Sequence, residues 1–257
     1  MRIKTDLRYE LKYLIRREQM ERLALDLAEQ MDPDGHGNEL GQYPITSLYY
    51  DSPDYKAYWD KLDGHRKRRK VRVRVYGNDA VTPDTLAYLE VKERINVRMR
   101  KRRVALPYDQ AVAFDNFGEL REGLSPSAVA VLQEVYYLYR TLQLRPACIV
   151  HYDRTAYEGR PPYEDLRVTF DVNLRGRTHD LSLVSTGHAT DQHFLPLDRV
   201  VLEVKANQNV PAWLVQLLSR HGCTYYRISK YCAALEKSKA ITRRQHVAYA
   251  PAVAPSR

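Results

Sequence analysis

The amino-acid sequence predicts an α+β fold: a closed or near-closed antiparallel β-barrel of about eight strands, wrapped by helices, with a charged interior. Three observations predict this fold. Segments rich in β-branched and aromatic residues recur along the chain, most of them with an alternation of period two. Segments with the spacing of amphipathic helices interrupt them. On several strands one of the two alternating faces is apolar and the other is almost entirely ionisable.

The predicted strands follow one another at short intervals. The first of about eight is the opening segment Arg8–Ile15, in which apolar and ionisable residues alternate. The others cover residues 43–50, 68–76, 86–94, 97–106, 146–156, 165–174 and 198–205. Turn-forming pairs, among them Asp63-Gly64 and Arg175-Gly176, indicate where strands reverse. Consecutive strands joined by such short turns predict antiparallel pairing.

Four amphipathic helices are predicted between and after the strands. The second opens with the sequence Ser-Pro-Ser, which is typical of a helix start, and the third is closed by Gly222. The four cover Arg17–Met31, Ser125–Leu142, Pro211–His221 and a segment from about Ser229 to Lys239. These helices can cover an apolar outer surface of the barrel.

Composition narrows the class of protein. Among 257 residues, 41 Lys and Arg against 32 Asp and Glu give a net charge of +9, which favours an anionic partner. A hydrophobic fraction of 44% is enough for a folded core, and we expect one domain over residues 1–242. Residues 243–257 are rich in Ala and Pro and are predicted to be a disordered tail.

The sequence also predicts the cellular location of the protein. No apolar stretch approaches the roughly 18 residues of a membrane-spanning helix. The three cysteines, Cys148, Cys223 and Cys232, lack the spacing of metal ligands, and they are interpreted as reduced thiols. We therefore expect a cytoplasmic protein with no membrane span.

The charged strand faces are the unusual feature of this sequence. In the strand that ends at Tyr76, Lys70, Arg72 and Arg74 share one face while three valines share the other. For a single strand, a solvated outer face is the usual explanation. The pattern recurs on other strands, and like charges facing inward would repel at a cost of several kcal/mol unless the interior is wet and holds counter-ions. A chain of phosphates supplies that counter-charge.

Several short motifs follow in order between about Arg8 and Leu235. They are Glu10-Leu11-Lys12-Tyr13, Ser47-Leu48-Tyr49-Tyr50-Asp51, Val71-Arg72-Val73-Arg74, Leu89-Glu90-Val91-Lys92, Tyr152-Asp153-Arg154, Leu202-Glu203-Val204-Lys205 and Arg227-Ile228-Ser229-Lys230-Tyr231. Together they resemble the VTC (vacuolar transporter chaperone) polyphosphate polymerase domain. That domain is one of the triphosphate tunnel metalloenzymes, which are related to the CYTH group.

The resemblance implies a triphosphate tunnel fold and a metal-dependent ATP-polyphosphate phosphotransferase. Such an enzyme transfers the γ-phosphoryl group of ATP to a phosphate or polyphosphate chain end. The residues it implies as catalytic are Lys12, Arg72, Arg74, Lys92, Arg154, Arg167 and Glu203. Those it implies as substrate-binding are Glu10, Glu90, Tyr152, Lys205, Arg227, Ser229 and Lys230. Glu203 is also the implied ligand of a divalent metal, Mn²⁺ or Mg²⁺, and a membrane-protein partner would be encoded separately.

Three other functions stay open at this point. A metal-dependent triphosphatase or polyphosphatase would use the same tunnel, although Arg8 stands where the CYTH hydrolases carry the first Glu of Glu-x-Glu-x-Lys. A non-catalytic polyphosphate-binding module would keep the basic positions without needing Glu203. The basic cluster Arg66–Lys70 suggests nucleic-acid binding as a third function. No known nucleic-acid-binding motif accompanies the cluster, and we expect no nucleic-acid partner.

Two details are left unassigned by the sequence. The cluster Arg66–Lys70 either lies in solvent at a strand entrance or guides the growing polymer. No base-stacking pocket for adenine is apparent; Tyr49, Tyr50, Tyr55 and Trp59 are candidates, but aromatic groups of this kind are more often core residues.

Overall fold

The computed structural model describes residues 7–77, 79–119, 123–184, 191–207 and 209–241. The predicted tail, 243–257, lies outside these residues. Strands are the most abundant regular element of the described chain. They are β1 (Leu7–Arg16), β2 (Met31–Pro33), β3 (Gln42–Asp51), β4 (Lys67–Tyr76), β5 (Leu86–Ile95), β6 (Arg98–Pro107), β7 (Arg145–Gly159), β8 (Arg167–Arg177), β9 (Gln192–His193) and β10 (Arg199–Ala206).

Helices lie between and after these strands. They are α1 (Arg17–Gln30), α2 (Lys56–Leu62), α3 (Tyr108–Val112), α4 (Pro126–Leu142), α5 (Ala212–Arg220) and α6 (Lys230–Lys237). A short 3₁₀ helix, Phe114–Gly118, follows α3. Side-chain caps begin two of the helices: Ser125 Oγ accepts from Ala128 N at the start of α4, and Ser229 Oγ accepts from Cys232 N at the start of α6. None of the helices within the described ranges is long and apolar enough to cross a membrane.

The strands form one large antiparallel sheet. Its order is β2-β7-β3-β4-β5-β6-β1-β10-β8-β9, and β7 also pairs with β8. Strand β7 therefore has β3 along one edge and β8, from Ile149 to Glu158, along the other. The contact between β1 and β6 is short, because only Leu7 and Arg8 of β1 pair with β6 in the part of the chain that is described. Hydrogen-bonded pairing in the described sheet is therefore incomplete between β1 and β6. The sequence predicted a closed or near-closed barrel, and the fully closed form is not what the described residues show.

The outer face of the sheet is apolar and is covered by helices. Val71, Val73 and Val75 of β4 are buried in a hydrophobic cluster that includes Val135 and Leu138 of α4. A second cluster joins the corresponding face of β1, β8 and β10 to α1 and α5. Because side chains alternate along a strand, the residues between these apolar positions face the other way, into the concave side of the sheet. This arrangement is what the charged alternation predicts.

The inner face is only partly charged. Near one end it carries a third hydrophobic cluster, in which Val150, Tyr152 and Val201 pack with Tyr231 and Leu235 of α6. Along β10, Val201 shares its face with Glu203 and Lys205, so the apolar part passes directly into a charged part. Helix α6 covers the apolar part, and its first residue, Lys230, lies at the boundary.

The predicted strands and the four predicted helices are all present, and the additions are short. Strands β2 and β9 and helices α2 and α3 were not predicted. The expected turn at Arg175-Gly176 is wrong, because β8 continues to Arg177. A Cβ at Gly176 would lie 2.4 Å from Ile149 O, so this glycine allows β7 and β8 to approach closely and does not reverse the chain.

Candidate functional site

The carboxylate of Glu203 is the centre of the charged part of the inner face. Its Oε1 atom lies 2.9 Å from Lys12 Nζ and 2.9 Å from Lys230 Nζ, and its Oε2 atom lies 2.9 Å from Lys205 Nζ. The guanidinium of Arg154 follows at 3.7 Å. Burial alone would raise the pKa of Glu203, but these four cations hold the pKa well below its usual value.

A second carboxylate extends this group toward β5. Glu10 Oε1 lies 3.1 Å from Lys12 Nζ, and Glu10 Oε2 lies 2.8 Å from Lys92 Nζ. Lys12 therefore bridges the carboxylates of Glu10 and Glu203. The pKa of Glu10 is lowered because the attraction of Lys92 and Lys12 outweighs burial, which acts in the opposite direction. The contact between Lys12 and Glu203 follows from strand register, because the two residues are directly opposite in the β1–β10 ladder.

The buried ion pair of Arg72 and Glu90 forms the opposite wall. Arg72 Nε donates to Glu90 Oε2 at 2.6 Å, and one of its terminal nitrogens donates to Tyr49 Oη at 3.0 Å. The Glu90 side chain is fully buried, and the charge of Arg72 lowers the pKa of Glu90 although burial raises it. Lys101 of β6 reaches the same carboxylate at 3.5 Å. The guanidinium is thereby held in one orientation.

The ring of Tyr152 joins the two walls. Arg74 donates to Tyr152 Oη at 3.1 Å, while the Arg154 guanidinium and the Lys230 ammonium lie 5.4 and 4.9 Å from the centre of the ring. Arg154 is fixed further by two hydrogen bonds to Asp171, of 2.7 and 2.8 Å. Cations from β4, β7 and α6 therefore meet at one buried aromatic residue.

The structure brings most of the predicted site residues together, with two exceptions. Arg167 lies at the edge of the inner face, where it bonds to Asp34, Glu158 and the hydroxyl of Tyr43. Arg227 is exposed. The members of the cluster are Lys12, Arg72, Arg74, Lys92, Arg154, Glu203, Glu10, Glu90, Tyr152, Lys205, Ser229 and Lys230. Ser229 directly precedes Lys230 at the start of α6, and its hydroxyl accepts at 3.0 Å from Lys70 Nζ, a residue on the same face of β4 as Arg72.

Sequence reasoning missed some members of this site. Asp171 of β8 is fully buried, and it binds Lys230 at 2.6 Å besides Arg154. Strand alternation could have found Asp171. Val168 and Phe170 are apolar and share one face of β8, so Thr169 and Asp171 have to lie on the opposite, inner face. Lys101 of β6 was missed because both faces of that strand carry cations, so alternation did not indicate which face is inner.

The cluster has more positive than negative charge, and it has unfilled hydrogen-bonding capacity. Eight cations, Lys12, Arg72, Arg74, Lys92, Lys101, Arg154, Lys205 and Lys230, surround the four carboxylates Glu10, Glu90, Asp171 and Glu203. Within the described residues, Thr169 Oγ1 is buried opposite Glu203 without a hydrogen-bond partner. Convergent and mostly buried cations are suited to binding a polyanion.

The donor set fits a divalent metal only if a ligand completes it. No group of three or more His, Cys, Asp and Glu side chains suitable for a metal occurs in the described ranges. Two carboxylates do converge, since Glu10 and Glu203 both contact Lys12 Nζ, and Thr169 is directly opposite Glu203 in the β8–β10 ladder. Mg²⁺ is usually held by one or two carboxylates together with substrate phosphates. These residues therefore fit a metal that binds together with phosphate.

One family profile and two solved structures match most of the chain. The VTC domain profile matches residues 7–239. The PH1819 protein from Pyrococcus horikoshii OT3 superposes with a TM-score of 0.47 and 13% identity, over 90% of this chain and 99% of that chain. HpAC1 from Hippeastrum, a putative adenylyl cyclase with a dominant triphosphatase activity, superposes with a TM-score of 0.46 and 13% identity. The match covers 93% of this chain and 99% of that chain. At this degree of similarity neither structure carries an argument about function. No curated protein matches the chain.

Proposed function

The chain belongs to the VTC domain family, and from that premise we propose that it is a polyphosphate polymerase that uses ATP. The observation that carries the proposal is the convergence of Lys12, Lys205, Lys230 and Arg154 around Glu203, with Arg72 and Arg74 facing them. A single phosphate needs fewer cations than this, whereas a triphosphate and a polyphosphate end brought together need a row of them.

The proposed reaction is a phosphoryl transfer. The bond between the γ-phosphorus of ATP and its bridging oxygen breaks, a bond forms to a terminal oxygen of the acceptor phosphate, and ADP leaves with the bridging oxygen. The acceptor oxygen is already ionised, so no general base is needed. Catalysis then depends on positioning and on the stabilisation of charge.

The arginine and lysine side chains have different roles in this proposal. Arg72 and Arg74 are held by Glu90, Ser47, Tyr49 and Tyr152, so their N–H groups are oriented before substrate binds. Oriented guanidinium groups can hold two phosphate oxygens at once as charge moves from the γ-phosphate to the leaving group. The lysines supply point charges that exchange a carboxylate partner for a phosphate oxygen. Outside the cluster, Arg167 and Arg227 would contact only the ends of a long substrate.

The divalent metal, Mn²⁺ or Mg²⁺, belongs to the same proposal. Glu203 would hold it, with Glu10 and the Thr169 hydroxyl nearby. When bound, such an ion supplies positive charge to the phosphate oxygens. Phosphate binding by Lys12 and Lys205 would free the Glu203 oxygens from their present partners, which makes metal and substrate binding interdependent.

We further propose that the eight long strands enclose a tunnel-like channel, in the manner of a near-closed barrel. The pairing of β7 with β8 supports this. These strands lie near opposite ends of the strand order, so their ladder, in which Arg154 is opposite Asp171, brings the two ends of the sheet together. A cytoplasmic location, which rests on the interpretation of the three cysteines as reduced thiols, and a separately encoded membrane-protein partner, which rests on the family alone, are parts of the same proposal.

A polymer-synthesis assay tests the proposed function. The purified chain is incubated with ATP and Mn²⁺, polyphosphate is stained on a gel, and ADP and orthophosphate are measured in parallel. A polymerase forms stained polymer and ADP without an equal amount of orthophosphate. Orthophosphate without polymer would instead indicate a hydrolase, and binding without turnover a polyphosphate-binding module. Glu203→Ala should abolish turnover; retained turnover would contradict the role of Glu203.

A further inference from the structure

Three tyrosines form an aromatic cluster at one end of the inner face. Tyr43 comes from the start of β3, Tyr76 from the end of β4 and Tyr88 from the start of β5. Tyr76 shares its face with Arg72 and Arg74, and Tyr88 is directly opposite Arg74 in the β4–β5 ladder. The aromatic cluster therefore belongs to the same side of the sheet as the cations, at the end away from Lys70.

The rings are held in place by one another and by hydrogen bonds. Tyr76 contacts Tyr43 with 5.9 Å between ring centres, and Tyr88 at 5.5 Å with the rings almost perpendicular. The Tyr43 hydroxyl donates to Asp34 at 3.0 Å and accepts from Arg167 at 2.7 Å. Even so, Tyr76 keeps 39% of its surface exposed, so part of its ring is accessible to a ligand.

Cations connect this aromatic cluster to the phosphate-binding region. The guanidinium of Arg74 lies 5.9 Å from the centre of the Tyr76 ring, and the guanidinium of the exposed Arg103 lies 4.8 Å from the Tyr88 ring. Arg74 contacts both Tyr76 and Tyr152, so it spans the aromatic cluster and the buried charged cluster. A ligand with a flat aromatic group at one end and phosphates at the other fits this order of side chains.

We propose that Tyr76, together with Tyr88 and Arg103, forms the binding site for the base of the nucleoside triphosphate. The inference rests on the proposed function, since it assigns the base end of the same substrate. Aromatic rings and guanidinium planes are the groups on which nucleobases stack. The base would stack on the exposed part of Tyr76, which directs the triphosphate past Arg74 toward Arg72 and Glu203. Tyr49 and Tyr50, which the sequence offered for this role, are buried in hydrophobic clusters.

The test compares ATP with inorganic tripolyphosphate, which has the phosphates but no base. Dissociation constants for both ligands are measured by calorimetry with the wild-type chain and with Tyr76→Ala. Stacking of one base is worth about 1–3 kcal/mol, so the variant should bind ATP about tenfold more weakly while its affinity for tripolyphosphate changes less than about twofold. Tyr76→Phe, which keeps the ring, should bind both ligands like the wild type.

A matched control separates stacking from general damage. Tyr137→Ala removes an exposed tyrosine from α4 on the outer side of the sheet and should leave both affinities unchanged. The inference is overturned if Tyr76→Ala weakens both ligands equally or weakens neither. If the wild-type chain binds tripolyphosphate and forms polymer in that case, the proposed function stands and only the base site is wrong. If the wild-type chain binds neither ligand, the proposed function itself fails, and the base site with it.

Discussion

The ammonium group of Lys230 lies 2.9 Å from Glu203 Oε1 and 2.6 Å from Asp171 Oδ2. The first residue of the last helix is thus ion-paired with two strands of the sheet, and Ser229 caps the same helix. Because these carboxylates are buried, their charge has to be balanced by cations that are equally buried. Lys230 therefore contributes both to the position of α6 and to the charge of the site.

Lys230→Met should weaken tripolyphosphate binding about tenfold and lower the free energy of unfolding. The change keeps the length of the side chain but removes a buried cation from two carboxylates, which then repel an incoming phosphate more strongly. Calorimetry and urea unfolding measure the two effects. Lys237→Met, in the exposed last turn of the same helix, is the control and should change neither. Equal behaviour of the two variants would contradict the role of Lys230.

Arg72→Lys should lower kcat/KM of the polymer assay by roughly ten- to a hundredfold, although it keeps the charge. An ammonium group cannot make the hydrogen bonds that Arg72 makes to Glu90 and Tyr49 and still grip a phosphate with two N–H groups. The matched control is Arg220→Lys in the exposed last turn of α5, which should leave kcat/KM unchanged. If Arg72→Lys retains full activity, charge alone suffices at this position.

Glu90→Gln should destabilise the fold by about 3–5 kcal/mol, because it leaves the buried guanidinium of Arg72 without its counter-ion. Urea unfolding at neutral pH, followed by circular dichroism, measures this loss. The comparison is Asp60→Asn, which breaks the Lys56–Asp60 pair on the surface of α2 and should cost less than about 0.5 kcal/mol. A loss at Glu90 as small as the loss at Asp60 would show that solvent reaches the inner face freely.

Affinity for ATP should fall as the pH rises from 7 to 9, in part through Lys101. Partial burial, together with the nearby cations Arg103, Arg72 and Arg74, lowers the pKa of Lys101 to about 8 although Glu90 acts in the opposite direction. Below that pKa the side chain is charged and attracts phosphate; above it the charge, and its share of the affinity, are lost. Lys101→Arg stays charged throughout, so its pH profile should be flatter than that of the wild type when both are measured in the same buffers. Superimposable profiles would exclude Lys101.

Neutralising Arg66 and Lys67 should reduce affinity for long polyphosphate a few-fold and leave tripolyphosphate unaffected. Both residues are exposed, whereas Lys70 at the end of the same basic run reaches inward to Ser229. A short ligand is held by the inner cluster, so only a chain that projects from it can reach the exposed cations. Polyphosphates of increasing length, titrated against the Arg66→Gln/Lys67→Gln variant at two salt concentrations, measure this effect. Unchanged affinity at every length would exclude a guiding role.

Much of the site could be predicted because strand alternation is a property of the backbone. Arg72 and Arg74 alternate with valines, so burial of the valines under α4 puts the arginines on the opposite face whatever else the chain does. The same argument holds for Glu203 and Lys205, which alternate with Leu202 and Val204. It does not hold for β6, where cations occupy both faces, and Lys101 was therefore missed.

The sequence by itself determined the strands, the helices that cover them and the face on which most of the charges lie, because these depend on local periodicity. Only the tertiary structure decided which charges meet. Arg167 has the same alternation as Asp171, yet it pairs with Asp34 at the first residue of β8, while Asp171 pairs with Arg154 near the middle of that strand. Strand register and the approach of loops set such pairings. Arg167 and Asp34 are 133 positions apart, and Arg154 and Asp171, although only 17 apart, lie on different strands, so no pattern within one strand predicts either contact.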